Sequence, residues 1–165
     1  MKRVSFDAMS CSIAQALEII GEWWTPLIIR DVSLGLRRFE QIQGDLGISR
    51  NILTDRLNKL VEDGILYRTN IAASGTRCDY RLTEKGLDFL PVLMTLMAWG
   101  DKWVEQPDGP YTELVHTTCD HVTHPHLVCD HCGEAITPQT TRSRAGAAFA
   151  HDPHHPLVRA AAARA

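Results

Sequence analysis

Four side chains toward the C-terminal end carry the plainest chemical pattern in the chain, His116-x2-Cys119-x9-Cys129-x2-Cys132. Thiolates and an imidazole arranged as two short pairs suit a tetrahedral zinc ion, which takes four such ligands at a structural site. Gly133, directly after the second pair, permits the tight turn that such pairs need. His121 competes with His116 for the fourth position, with His124 and His126 behind it. The same thiols admit a redox dithiol at Cys129 and Cys132, or cysteines without metal. Cys11 is a separate case. It opens a helix, where a thiol gains reactivity, so it is a candidate redox sensor, with a buried structural cysteine as the alternative. His151, His154 and His155 lie in a tail and offer adventitious binding at most.

A second constellation lies between residues 37 and 82. Asn51, Thr54 and Asn58 are short polar groups at helical spacing, able to read base edges in a DNA groove. Ser49 precedes them, and Arg50 and Arg56 stand at the flanks, where guanine or phosphate is the natural partner. Arg37 and Arg38 open the preceding helix and suit backbone phosphate; Arg77 ends a loop that can reach a minor groove or phosphate. The bases between residues 37 and 85 outnumber the acids only modestly, and the whole chain carries a net charge of −3. Net charge is a weak guide, because phosphate contacts need only a local basic surface.

The elements that must hold these groups follow from periodicity. Residues 11–20 carry Ile13, Leu17 and Ile20 at helical spacing. Thr25 and Pro26 read as an N-cap and first helical residue ahead of Leu27, Ile28 and Val32. A helix over about residues 38–46 buries Phe39, Ile42 and Leu46, and Gly47 suits its left-handed end. Ser49 caps a helix running to about Glu62, with Leu53, Leu57, Leu60 and Val61 on one side. Residues 65–69 and 78–82 alternate as two strands of a hairpin.

Thr83 then caps a long helix over about 84–104, with Pro91 forcing a kink or a late start. That helix is apolar on two sides, Leu87, Leu90, Met94 and Met97 on one and Val92, Leu96, Trp99 and Trp103 on the other. A domain of this size covers one stripe, so the second predicts a partner subunit. Trp23, Trp24, Trp99 and Trp103 suit either a small-molecule pocket near the dimer axis or plain aromatic packing.

At 165 residues the chain accommodates one domain and an appendage. The readings give residues 11–109 as the main domain, 111–141 as a Cys/His-rich, zinc-binding segment and 142–165 as a disordered tail without core-forming periodicity. No run approaches the roughly 18 apolar residues of a membrane span, and no apolar leader opens the chain. Five cysteines with one CxxC then point to reduced thiols or metal ligands in the cytoplasm.

The blocks WWTPLIIRDVSLGLRRFEQI, LGISRNILTDRLNKLVEDGILYR and YRLTEKGLDFLPVLMTLMAWGDKW, in that order, resemble the HxlR-type winged helix-turn-helix regulators, relatives of the MarR group. The resemblance spans about residues 11–109. It implies a mainly α fold with a small β-hairpin wing, and a homodimeric bacterial transcription regulator. Its helix 49–62 would enter the major groove of double-stranded DNA, and its wing 65–82 would touch the minor groove or backbone. The Cys/His segment adds a zinc-ribbon-like appendage, with a looser likeness to some members.

Two departures stand out. Cys78 occupies a wing position where the family pattern expects a β-branched residue, and Asp55 places a negative charge on the reading face, to accept from a cytosine amino group or to repel wrong registers. The competing function is a zinc-ribbon adaptor for protein or RNA that dimerises through its helices. An enzyme is disfavoured, since no phosphate loop or nucleophile elbow is present and the CxxC lacks a βαβ setting.

Overall fold

The computed structural model describes residues 5–70, 78–144, 146–149 and 154–163. The chain divides into two compact units, Met1–Glu105 and Gln106–Ala165. The first contains helices α1 (Ser12–Ile20), α2 (Trp24–Ser33), α3 (Phe39–Leu46) and α4 (Arg50–Glu62), strands β1 (Leu66–Asn70) and β2 (Cys78–Leu82), and helices α5 (Glu84–Leu87) and α6 (Leu90–Trp103).

The core is built where the apolar stripes of α2, α3 and α4 meet the base of the hairpin. Ile28, Ile29, Ile42, Leu53, Leu57, Leu60 and Leu66 are fully buried, and Tyr80 closes the cluster from β2. Each such side chain contributes about 1.5–3 kcal/mol by leaving water, so α4 is anchored chiefly by its inward stripe. α4 ends in a Schellman motif: the N–H of Ile65 bonds to the Leu60 carbonyl at 2.9 Å and that of Gly64 to Val61 at 3.1 Å. That reversal delivers the chain straight into β1.

The strands pair antiparallel with Leu66 opposite Leu82, Arg68 opposite Tyr80 and Asn70 opposite Cys78. Cys78, half-buried, packs against the core, so a small apolar residue suits its place in the wing. Residue 37 extends the pairing, its carbonyl accepting the Tyr80 N–H at 2.8 Å.

Three expectations change. α2 starts at Trp24, not at Pro26, and Thr25 is a buried residue of its first turn rather than its cap. The expected long helix is two. Thr83 does cap the first, its Oγ accepting the Gly86 N–H at 3.1 Å, but α5 stops after one turn and α6 begins afresh with Pro91 in its first turn. Proline costs nothing there because its missing N–H has no partner in a first helical turn. Finally, Ile13 and Leu17 of α1 are exposed, and Ala14 is the buried residue of that helix.

The second unit holds a short hairpin, β3 (Leu114–His116) and β4 (His121–Thr123), a 3-10 turn at Ala147–Phe149 and the helix α7 (Pro156–Ala162). These last two occupy part of the tail whose sequence lacks periodicity. No helix among the described residues is long and apolar enough to cross a membrane.

Candidate nucleic-acid interface

α3, the turn through Gly47 and Ile48, and α4 form a helix-turn-helix. Gly47 takes the left-handed conformation (φ 61°) and Ile48 plugs the turn into the core. Ser49 adopts extended backbone and its Oγ accepts the Ile52 N–H at 3.4 Å. At the start of α3, Gln41 reaches back to accept the N–H groups of Arg38 (3.0 Å) and Arg37 (3.2 Å).

With Leu53, Leu57 and Leu60 turned inward, the opposite face of α4 presents Asn51, Thr54, Asp55 and Asn58 to solvent. Asp55 has no ion-pair partner among the described residues. Arg50 is exposed, and its guanidinium sits 4.9 Å above the Phe39 ring, which holds the charge beside the N-terminal ends of α3 and α4. Ser49, Arg50, Asn51 and Thr54 therefore share one end of an exposed polar face. Asn58 lies farther along, and its Oδ1 accepts a hydrogen bond from Arg68 of β1.

Arg56 does not join them. It turns to the protein, pairing with Glu22 at 3.3 Å between half-exposed side chains. The flank it occupies faces the α1–α2 turn, where Glu22 engages its guanidinium. Arg38 stays exposed and makes a long contact of 3.8 Å with Asp79. Arg37 is exposed too, but lines a 220 Å³ recess with Tyr67, Arg81, Leu87 and Leu90. Arg77 lies outside the described residues.

Sequence reasoning passed over Arg68. It projects from the same side of the hairpin as Tyr80, lies 5.6 Å over that ring and reaches Asn58, so it links wing to reading helix while remaining exposed. Its even-numbered register with Leu66 was the available signal.

An ordered polar helix face on a helix-turn-helix, with a wing tied to it through an arginine, is the arrangement of DNA-binding regulators. A family model, HxlR-like helix-turn-helix, matches residues 19–108. The chain belongs to the HxlR-like helix-turn-helix family. An uncharacterised HTH-type transcriptional regulator of Mycobacterium tuberculosis, Rv3095, is 43% identical over 138 residues, covering 84% of this chain and 87% of that protein. Among solved structures, PA1607, a proposed transcription factor, superposes with a TM-score of 0.77 at 33% identity, covering 87% of this chain and all of that one. The redox regulator HypR in its oxidised form matches 58% of this chain and all of its own, at 26% identity and a TM-score of 0.53. The HxlR-like relatives are regulators of transcription rather than enzymes.

Three further groups of residues lie outside this interface. An open recess of 370 Å³ is lined by Glu22, Trp23, Trp24 and Leu27, whereas Trp99 and Trp103 take no part in it. Cys11 is half-buried at the N-cap of α1. In the second unit, His116 Nδ1 lies 3.2 Å from Cys119 Sγ, and His121 Nδ1 is directed at the Cys119 carbonyl, 2.5 Å away. Backbone N–H groups of Cys132 and His131 point at the Cys129 sulfur and hold that thiol below its usual range. Among the described residues no three His, Cys, Asp or Glu side chains converge closely enough to hold an ion.

Proposed function

We propose that this HxlR-like protein acts as a homodimer on operator DNA, with α4 in the major groove and the β1–β2 wing on the adjacent groove or backbone. The observation that carries the reading is the division of α4 into a fully buried stripe and an exposed face of Ser49, Arg50, Asn51 and Thr54. Asn can pair bidentately with adenine and Arg with guanine or phosphate. Arg38 supplies a phosphate contact at the start of α3, and Asn58 with Arg68 fixes the wing to the reader.

The second copy is argued from α6, which has no buried residue. Trp99 and Trp103 are 60% and 66% exposed, and Val92 and Leu96 accompany them. Apolar surface of that extent marks an interaction site, and Ile13 and Leu17 of α1 are exposed as well. A second copy is the partner that supplies a matching apolar face, because a two-fold interface pairs each patch with itself.

The regulatory input is a small ligand or a thiol. The Trp23–Trp24 recess suits an apolar effector, and Cys11 heads the helix that bears Ile13 and Leu17. Peroxide would convert the Cys11 thiol to a sulfenic acid with loss of water. Selection of bound duplex from a genomic DNA pool tests the whole reading. Two half-sites about one helical turn apart are expected. Weak binding without sequence preference would instead favour an adaptor for protein or RNA. Trp99→Glu with Trp103→Glu should give a monomer by light scattering and lose operator affinity. Peroxide should shift the affinity of the native chain but not of Cys11→Ser, if the thiol is the input.

A further inference from the structure

The Cys/His segment contains the same turn twice. Leu114-Val115-His116-Thr117-Thr118-Cys119-Asp120-His121-Val122-Thr123 aligns with Leu127-Val128-Cys129-Asp130-His131-Cys132-Gly133-Glu134-Ala135-Ile136 at a constant offset of 13 positions. The backbone repeats with it. Val115 pairs antiparallel with Val122, and Val128 bridges Ala135 in the same sense. The Asp120 N–H bonds to the His116 carbonyl at 2.8 Å, and the Gly133 N–H bonds to the Cys129 carbonyl at 2.8 Å. Asp120 and Gly133 both take left-handed backbone, φ 56° and 75°, and Asp120 is the sole non-glycine residue to do so among those described. Aspartate is among the few residues with a Cβ that adopt that conformation, as a single residue in a turn.

The equivalence sets His116 against Cys129 and Cys119 against Cys132. A histidine in place of a cysteine rules out a disulfide in the first turn, while preserving what the two side chains share, the capacity to ligate a borderline metal ion. The same comparison decides between His116 and His121. His116 holds the ligand position of the repeat with Nδ1 toward Cys119 Sγ, whereas His121 turns its Nδ1 to a backbone carbonyl.

The separation is near that of a zinc pair. Zinc bonds of about 2.3 Å to sulfur and 2.05 Å to nitrogen at a tetrahedral angle place the two ligand atoms about 3.6 Å apart. The observed 3.2 Å is a hydrogen-bonding contact, about 0.4 Å shorter, so this pair would open slightly to admit the ion.

We infer that His116, Cys119, Cys129 and Cys132 form one structural zinc site, each half supplied by one copy of that turn. Between residues 106 and 144 no residue is buried, and Val115, Val122, Leu127 and Val128 stand largely in solvent. A segment of that size without a hydrophobic core needs a staple to hold one fold. Among the described residues no three of these side chains converge, so the proposed site requires the two turns to close on the ion, which would couple metal binding to folding.

The test is metal analysis of the full chain after dialysis in non-chelating buffer, with cobalt substitution as the spectroscopic probe. The native protein should hold one zinc per chain. Its cobalt form should show tetrahedral d–d absorption with thiolate charge transfer. Cys129→Ser should drop zinc to background. His116→Cys, which makes the two turns alike, should retain one equivalent, and so should His121→Ala and a His154→Ala/His155→Ala variant. Retention of that variant's zinc excludes the tail as its source. The inference is overturned by native protein without stoichiometric zinc, by zinc that survives in Cys129→Ser, or by zinc that leaves with His154 and His155. A reversible Cys129–Cys132 disulfide in zinc-free native protein also overturns it.

Discussion

Replacing Arg50 and Arg56 by alanine one at a time separates an arginine that faces DNA from one that faces protein. Arg50 is exposed and held over Phe39 at 4.9 Å, leaving its charge outward. Arg56 is spent on Glu22 at 3.3 Å. Each phosphate neutralised adds about 0.9 to the slope of log affinity against log salt, and two copies of Arg50 in a dimer add about 1.8. From roughly 50 to 200 mM salt the native affinity should therefore fall about 12-fold more than that of Arg50→Ala. Arg56→Ala should leave the slope unchanged and instead cost roughly 0–1 kcal/mol of stability, the range of partly exposed ion pairs. Fluorescence anisotropy with a labelled operator at several salt concentrations, alongside thermal melts, reads both quantities. A slope lost in Arg56→Ala, or kept in Arg50→Ala, refutes the assignment of the two flanks.

Leu57→Ala, at a fully buried position of α4, should destabilise by about 2–5 kcal/mol in urea unfolding with the m-value unchanged. Gly86→Ala should destabilise by roughly 1–3 kcal/mol, because a Cβ there would stand 2.4 Å from the Ile65 carbonyl oxygen; a neutral melt would show that α5 can shift away. Burial holds the Asp31 carboxyl above its usual range, against the opposing pull of Arg30. The folded state then binds more protons than the unfolded chain between 3.8 and the raised value. The native chain should accordingly gain stability relative to Asp31→Asn as pH falls through that window, and a difference that shrinks on acidification would contradict the sign.

The local elements were legible because their causes are local. A four-residue spacing of leucines specifies which side of α4 is buried, Ser49 announces its cap, and Pro91 announces a fresh helical start. Thr25 misled because Thr-Pro has the chemistry of a cap, yet burial of Thr25 among α2 residues overrides that preference. Arg50 and Arg56 look alike in periodicity, each one flank of the same helix. Only the packing of the α1–α2 turn, which brings Glu22 to one flank, tells them apart. Arg68 was equally hidden, since its partner Asn58 is set by how the hairpin folds back onto α4. The two Cys/His turns are plain in sequence, but their equivalence emerges only when the backbone pairing shows matching residues in matching roles.

On the dimer reading, the bareness of α6 makes the stability of this regulator a property of a solution rather than of a molecule. Association that covers Trp99 and Trp103 enters the unfolding equilibrium through mass action, so the melting temperature should climb with protein concentration. Dilution then weakens both the arm and the reader it carries, and the amount of protein in the cell becomes an input to the switch alongside any ligand or oxidant.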